Sequence, residues 1–109
     1  MRTKVLFVCS RNQWRSPTAE ALLKDHAAYE ARSAGTEAGA RIKLTAGQVG
    51  WADIIICMEK KHADRVAERF AEELGDKPLH VLRIPDDYGY MDPALVDLLQ
   101  GELGAILEL

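Results

Sequence analysis

Two residues of this chain have side chains suited to attacking and holding an oxyanion, and they lie six positions apart: Cys9 and Arg15, separated by Ser10-Arg11-Asn12-Gln13-Trp14. A thiolate is a strong nucleophile, and a position at a helix N-terminus beside a guanidinium favours the thiolate form. A guanidinium is planar and permanently charged. It can grip two oxygens of a tetrahedral anion and keep its grip as charge moves during a displacement. Ser16 and Pro17 follow directly. Ser is a favoured helix cap, and the fixed φ and missing N–H of Pro suit the first helical position, so a helix is expected from Pro17 with Ser16 as its cap. A loop that opens into a helix turns backbone N–H groups toward the positive end of the helix dipole and forms a concavity for an anion. The chemistry implied is nucleophilic displacement at phosphorus or a similar centre.

The flanking elements are those needed to present such a loop. Val5 to Val8 is a short apolar run with the character of a buried strand, and it ends at Cys9. After Pro17, Ala19, Leu22, Leu23, His26 and Ala27 recur at helical spacing and predict a helix to about Ala28. Tyr29 to Ala34 reads as an edge strand, Glu37 to Lys43 as a loop, and Thr45 as the cap of a short helix ending near Gly50. Trp51 is assigned to packing, ahead of a second buried strand over Ala52 to Met58. Lys60 to Leu74 carries the clearest apolar stripe in the chain, with His62 on the charged remainder and Gly75 as the stop. Leu79 to Ile84 is the fourth strand, Pro85 to Asp92 a loop, and Asp92-Pro93 the start of a last helix with Leu95, Leu99, Leu103 and Ile106 inward.

Strands alternating with helices predict an α/β fold: a small doubly wound parallel sheet of four strands in the order 2-1-3-4, with helices on both faces. The phosphate-binding loop follows the first strand. Ligands of such sheets bind beyond the carboxyl ends of the strands, where Cys9 and Asp86 both fall. With 109 residues and 48% hydrophobic content, one domain over residues 1–109 is expected. The net charge of −3 argues against general nucleic-acid or membrane-surface binding. The short apolar run that leads into the loop is unlike a signal peptide, and a reactive thiol suits a reducing, cytoplasmic setting. Cys57 lies within an apolar run and reads as a small core residue, and no cofactor or metal site is expected.

Cys9, five residues, then Arg15-Ser16-Pro17 and Ala19-Glu20 resembles the low-molecular-weight protein tyrosine phosphatase family, which also includes arsenate reductases. Ser33-Ala34-Gly35-Thr36, Ala52 to Met58 and the Asp- and Tyr-rich stretch from Asp86 to Asp92 match it in order. The resemblance implies a phosphomonoester hydrolase working through a cysteinyl-phosphate intermediate on a phosphotyrosine protein or a small phosphomonoester. Cys9 would be the nucleophile, Arg15 the transition-state clamp and Asp86 the general acid, ahead of Asp87 and Asp92. Ser10, Arg11, Asn12, Gln13, Trp14 and Ser16 would bind substrate, with Tyr88 in the pocket wall and Ser33 behind the loop. The chain departs from the family at Arg11 and Trp14, where Gly and a second Cys are usual, and between Gly35 and Trp51, where it is shorter. Two other readings stay open: an arsenate reductase using an external thiol, and a phosphate-binding module without turnover.

Overall fold

The computed structural model describes residues 2–107 and 109. Nine elements follow one another: β1 (Thr3–Cys9), α1 (Arg15–Leu23), β2 (Tyr29–Gly35), α2 (Ala46–Trp51), β3 (Ile54–Cys57), α3 (Lys60–Arg69), α4 (Ala71–Leu74), β4 (Leu79–Val81) and α5 (Pro93–Leu107). The strands form a four-stranded sheet in the order β2-β1-β3-β4. Every pairing is parallel, so β1 sits between β2 and β3 and its carboxyl end marks the point where the order reverses.

Because successive side chains of a strand point to opposite faces, β1 feeds two cores. Val5, Phe7 and Cys9 face Ala19 and Leu23 of α1 and Leu95, Leu99, Leu103 and Leu107 of α5. Leu6 and Val8 face Val49 of α2, Val66 of α3 and Ile55 and Cys57 of β3. The two cysteines therefore lie on opposite faces of the sheet. Burial pushes the Cys57 thiol up to about 12, as expected of a core residue and not of a reactive one.

Several boundaries differ from the sequence-based expectation. Helix α1 begins at Arg15 and ends at Leu23, so Ser16 lies within it and not at its cap. Its early end leaves room for the turn that brings Tyr29 into register with Thr3. The expected helix from Lys60 to Leu74 is broken at Phe70, whose φ of −131° and ψ of 40° leave the helical region. Phe70 and Leu74 then both pack on the same core. The fourth strand stops at Val81, short of the expected Ile84, although Leu82 and Ile84 still donate to Cys57 O and Met58 O at 2.9 and 2.8 Å. Beyond it Arg83 takes a left-handed φ of 58°, which no regular strand continues through. Asp92 does cap α5, accepting the Ala94 N–H at 2.9 Å. Trp51 packs on the α2 and α3 side of the sheet, with the Arg32 guanidinium 4.2 Å from its ring centroid. Among the described residues no helix is long and apolar enough to cross a membrane.

Candidate active site

The loop between β1 and α1 is held from outside through its carbonyl groups. Cys9 O accepts from Thr36 N, Ser10 O from Glu37 N and Arg11 O from Arg41 N, each at 3.0 Å, and Asn12 O accepts from Arg41 Nε at 3.0 Å. A trans peptide points its C=O and the next N–H in opposite directions. Four outward carbonyls therefore turn the N–H groups of residues 10–13 inward. Asn12 N–H, at 3.2 Å from Cys9 Sγ, follows that pattern. Asn12 holds the sharpest point of the loop in a left-handed conformation, φ 57°, which Asn tolerates better than most residues.

The segment that straps the loop, residues 35–41, lies within the stretch that the resemblance marks as shorter than usual. It can approach so closely because position 35 has no side chain: a Cβ on Gly35 would lie 2.6 Å from Ser10 O and 2.7 Å from Ala40 Cβ.

Cys9 Sγ lies at the bottom of the loop, 2.9 Å from Ser16 Oγ. Asn12 Nδ2 donates to that same Ser16 oxygen at 2.8 Å, which leaves the Ser16 hydroxyl hydrogen to point at the sulfur. Ser16 was expected to cap α1; its hydroxyl serves the thiol instead. The residue at the cap position is Trp14, which makes no side-chain capping bond. The first N–H groups of α1 thus stay available to an anion.

Arg15 is buried although charged. Its Nη1 donates to Glu59 Oε2 at 2.6 Å and to the Ile84 carbonyl at 2.8 Å, which uses both Nη1 hydrogens. The opposite edge, Nε with Nη2, is the pair of parallel donors that can hold two oxygens of an anion. Asp86 Oδ1 lies 3.6 Å from Nε, beside that edge. Partial burial raises the Glu59 carboxyl, but the hydrogen bond and charge of Arg15, with help from Lys61, outweigh it and hold the group below the ordinary carboxylate value.

Two supports were not read from the sequence as part of the site. His62 is fully buried; its Nδ1 accepts the Glu59 N–H at 3.0 Å and its Nε2 lies 2.9 Å from Ser10 Oγ. An accepting Nδ1 puts the proton on Nε2, which donates to Ser10 and ties the loop to the start of α3. Burial and then the charge of Arg15 lower His62 to about 4, so it is neutral near pH 7. Since the unfolded chain takes up a proton near 6.5, His62 favours the folded state above that pH and its contribution is lost between about 6.5 and 4. The spacing from Glu59 to His62, a capping-box arrangement, was the available signal. Thr18 is the second support: Oγ1 donates to Trp14 O at 2.6 Å and accepts Met91 N–H at 3.0 Å, joining the end of the acidic loop to the start of α1.

The remaining predicted residues are not all brought to this centre. Tyr88 is half-buried against the α1 and α5 core. Trp14 is exposed at the loop's end, and Arg11 is exposed and paired with Glu37 at 3.2 Å. Gln13 turns to the side, into a cleft of about 630 Å³ shared with Arg41 and Tyr90 and not lined by Cys9. Asp87 is exposed, and Asp92 is engaged as the cap of α5. Ser33, expected behind the loop, donates instead to the Glu20 carboxylate and so braces α1.

Residues 4–49 match the model of the low molecular weight phosphotyrosine protein phosphatase family. No curated protein matches the chain. Among solved structures, the YwlE arginine phosphatase from Geobacillus stearothermophilus is 26% identical, with a TM-score of 0.75 over 97% of this chain and 93% of that one. The tyrosine phosphatase Wzb from Escherichia coli K30, in complex with phosphate, is 21% identical, with a TM-score of 0.79 over 99% and 98% of the two chains. A low molecular weight phosphotyrosine phosphatase from Vibrio cholerae O395 is 20% identical, with a TM-score of 0.78 over 97% and 95%. The last two establish likeness of fold. The resemblance drawn from the motif therefore holds in the architecture as well.

Proposed function

We propose that this chain, a low-molecular-weight phosphatase-like enzyme by its loop and its fold, hydrolyses phosphomonoesters through a phosphate carried on Cys9. The observation that carries this reading is the strapped loop: outward carbonyls, inward amides and a thiol at its base, with Arg15 anchored through Nη1 where the loop enters α1. Three oxygens of a phosphoryl group would be held by the loop amides and by Nε and Nη2 of Arg15 while Sγ attacks phosphorus from below. The bond from phosphorus to the ester oxygen breaks, and that oxygen takes its proton from Asp86. In the second step the Asp86 carboxylate takes a proton from water as the water oxygen bonds to phosphorus and the P–S bond breaks. The Ser16 hydroxyl, aimed at Sγ, would steady negative charge on the sulfur as it attacks and again as it leaves phosphorus.

Asp86 is chosen over its neighbours on position. It lies beside the Arg15 edge, whereas Asp92 is committed to α5 and Asp87 is exposed with no partner among the described residues. As a thiol shuttle for arsenate reduction Cys57 is unsuited, being buried on the other face of the sheet.

The test is release of phosphate from p-nitrophenyl phosphate by the intact chain, abolished by Cys9→Ser. A protein that binds phosphate at the loop but releases none is a binding module, and the proposal fails. The acid is tested separately. Asp86→Asn is expected to slow aliphatic or phenyl esters, which have poor leaving groups, by about 10²-fold or more and p-nitrophenyl phosphate much less. Asp92→Ala is expected to cost about 1 kcal/mol of stability in a denaturant titration, through the lost cap, with no leaving-group dependence. Leaving-group dependence in Asp87→Asn and not in Asp86→Asn would move the acid by one residue.

A further inference from the structure

Resting on the reading of the loop as a phosphatase site, we infer that the flank of α3 beside that loop docks an acidic segment of a phosphorylated protein substrate. Lys61, Arg65 and Arg69 recur every four residues and so share one stripe of the helix. The stripe is placed by its contacts. Lys61 and Arg65 line, with Ser10, Thr36 and Glu37, a recess of about 100 Å³ against the loop. Arg69 Nη1 donates to Thr36 O at 3.1 Å. Lys61 and Arg65 thus stand beside the loop and Arg69 beside the strap that holds it.

Local charges do not cancel the stripe. Glu37 is shared with Arg11, and Glu59, 3.7 Å from Lys61, is already committed to Arg15. On the adjoining flank, Asp64 is paired with Lys60. Arg65 is exposed and has no ion-pair partner among the described residues. In a chain of net charge −3, such a row beside the site is a property of placement and not of composition. From Lys61 to Arg69 the helix rises about 12 Å, the reach of about four residues of extended peptide. The occupant that fits is a strand bearing several Asp or Glu side chains within a few positions of the phosphorylated residue.

The experiment compares two phosphotyrosyl peptides, one with three or four acidic residues on each side of the phosphorylated residue and one with Ser in their place. The acidic peptide is expected to show about fivefold higher kcat/KM at low salt, expressed in KM, with the advantage lost at high salt. Arg65→Glu should abolish the preference and leave kcat and the hydrolysis of p-nitrophenyl phosphate unchanged; Arg65→Lys should retain it. Equal kcat/KM for the two peptides with the unmodified protein, or a preference that survives Arg65→Glu, overturns the proposal. If no substrate is hydrolysed, it is the phosphatase reading that has failed. Calorimetric titration of the Cys9→Ser protein with the same peptides then judges the surface alone: tighter, salt-sensitive binding of the acidic peptide supports docking, and equal binding overturns it.

Discussion

Arg15→Lys should fold and still bind phosphate weakly, yet lose turnover on p-nitrophenyl phosphate by about 10²- to 10³-fold, the scale on which removing one oxyanion donor is felt. The guanidinium has two tasks at once. One end anchors it, with Nη1 on Glu59 at 2.6 Å and on Ile84 O at 2.8 Å. The other end presents Nε and Nη2 as parallel donors to the site. A lysine ammonium can meet Glu59 and Ile84 or reach into the loop, but it cannot do both, and it has no second donor held at a fixed spacing. The loss should appear mainly in kcat, because the two-point grip matters most as charge develops on the phosphoryl oxygens. A variant within tenfold of the parent would show that the fork is not what stabilises the transition state. Because Ile84 opens into the acidic loop, the same substitution should also loosen Asp86, and the Asp86→Asn and Arg15→Lys effects should fall short of additive.

Gly35→Ala is expected to be nearly as damaging, although Gly35 contributes no chemical group. The added methyl would lie 2.6 Å from Ser10 O, 2.7 Å from Ala40 Cβ and 3.0 Å from the Arg11 carbonyl carbon. Two of these are backbone of the phosphate loop and cannot rotate aside. The strap must retreat, with Thr36, Glu37 and Arg41 losing registry with the loop carbonyls they hold. A shift of about 1 Å in a positioned group costs on the order of 10²-fold in rate, and overpacking of this kind costs about 1–3 kcal/mol of stability. Kinetics and thermal denaturation should therefore both respond. Gly39→Ala is the control: nothing lies within 4 Å of a Cβ there, so neither quantity should change by much. Equal behaviour of the two variants would mean that the strap does not set the loop's shape.

The sequence by itself determined the strand order and the identity of the central pair. The apolar runs at Val5 to Val8 and Ala52 to Met58, each followed by a helical period, leave few alternatives to a parallel doubly wound sheet, because connection rules allow few others. The placement of Cys9 and Arg15 at the two ends of one loop was legible for a similar reason: they are close in the chain, and a strand, a tight loop and a helix hold them there locally. The Asp92 cap was legible because a cap bond spans only two residues.

What only the tertiary structure decided are the relations between residues far apart in sequence. Ser16 looked like a cap because Ser before Pro usually is one; the bond from Asn12 and the approach of Cys9 give it another task. His62 lay among charged neighbours and read as solvated, yet it is buried against Ser10, 52 residues away. Glu59 and Ile84 anchor Arg15 across 44 and 69 residues, and Asp86 comes to the Arg15 edge only because Ile84 does. The break at Phe70 also escaped the pattern, since periodicity records which side chains turn inward and not the backbone angle between two short helices. Local spacing carries local geometry, whereas a bond that closes a long loop is written in neither partner's surroundings and exists only once the sheet has brought the ends of β1, β3 and β4 side by side.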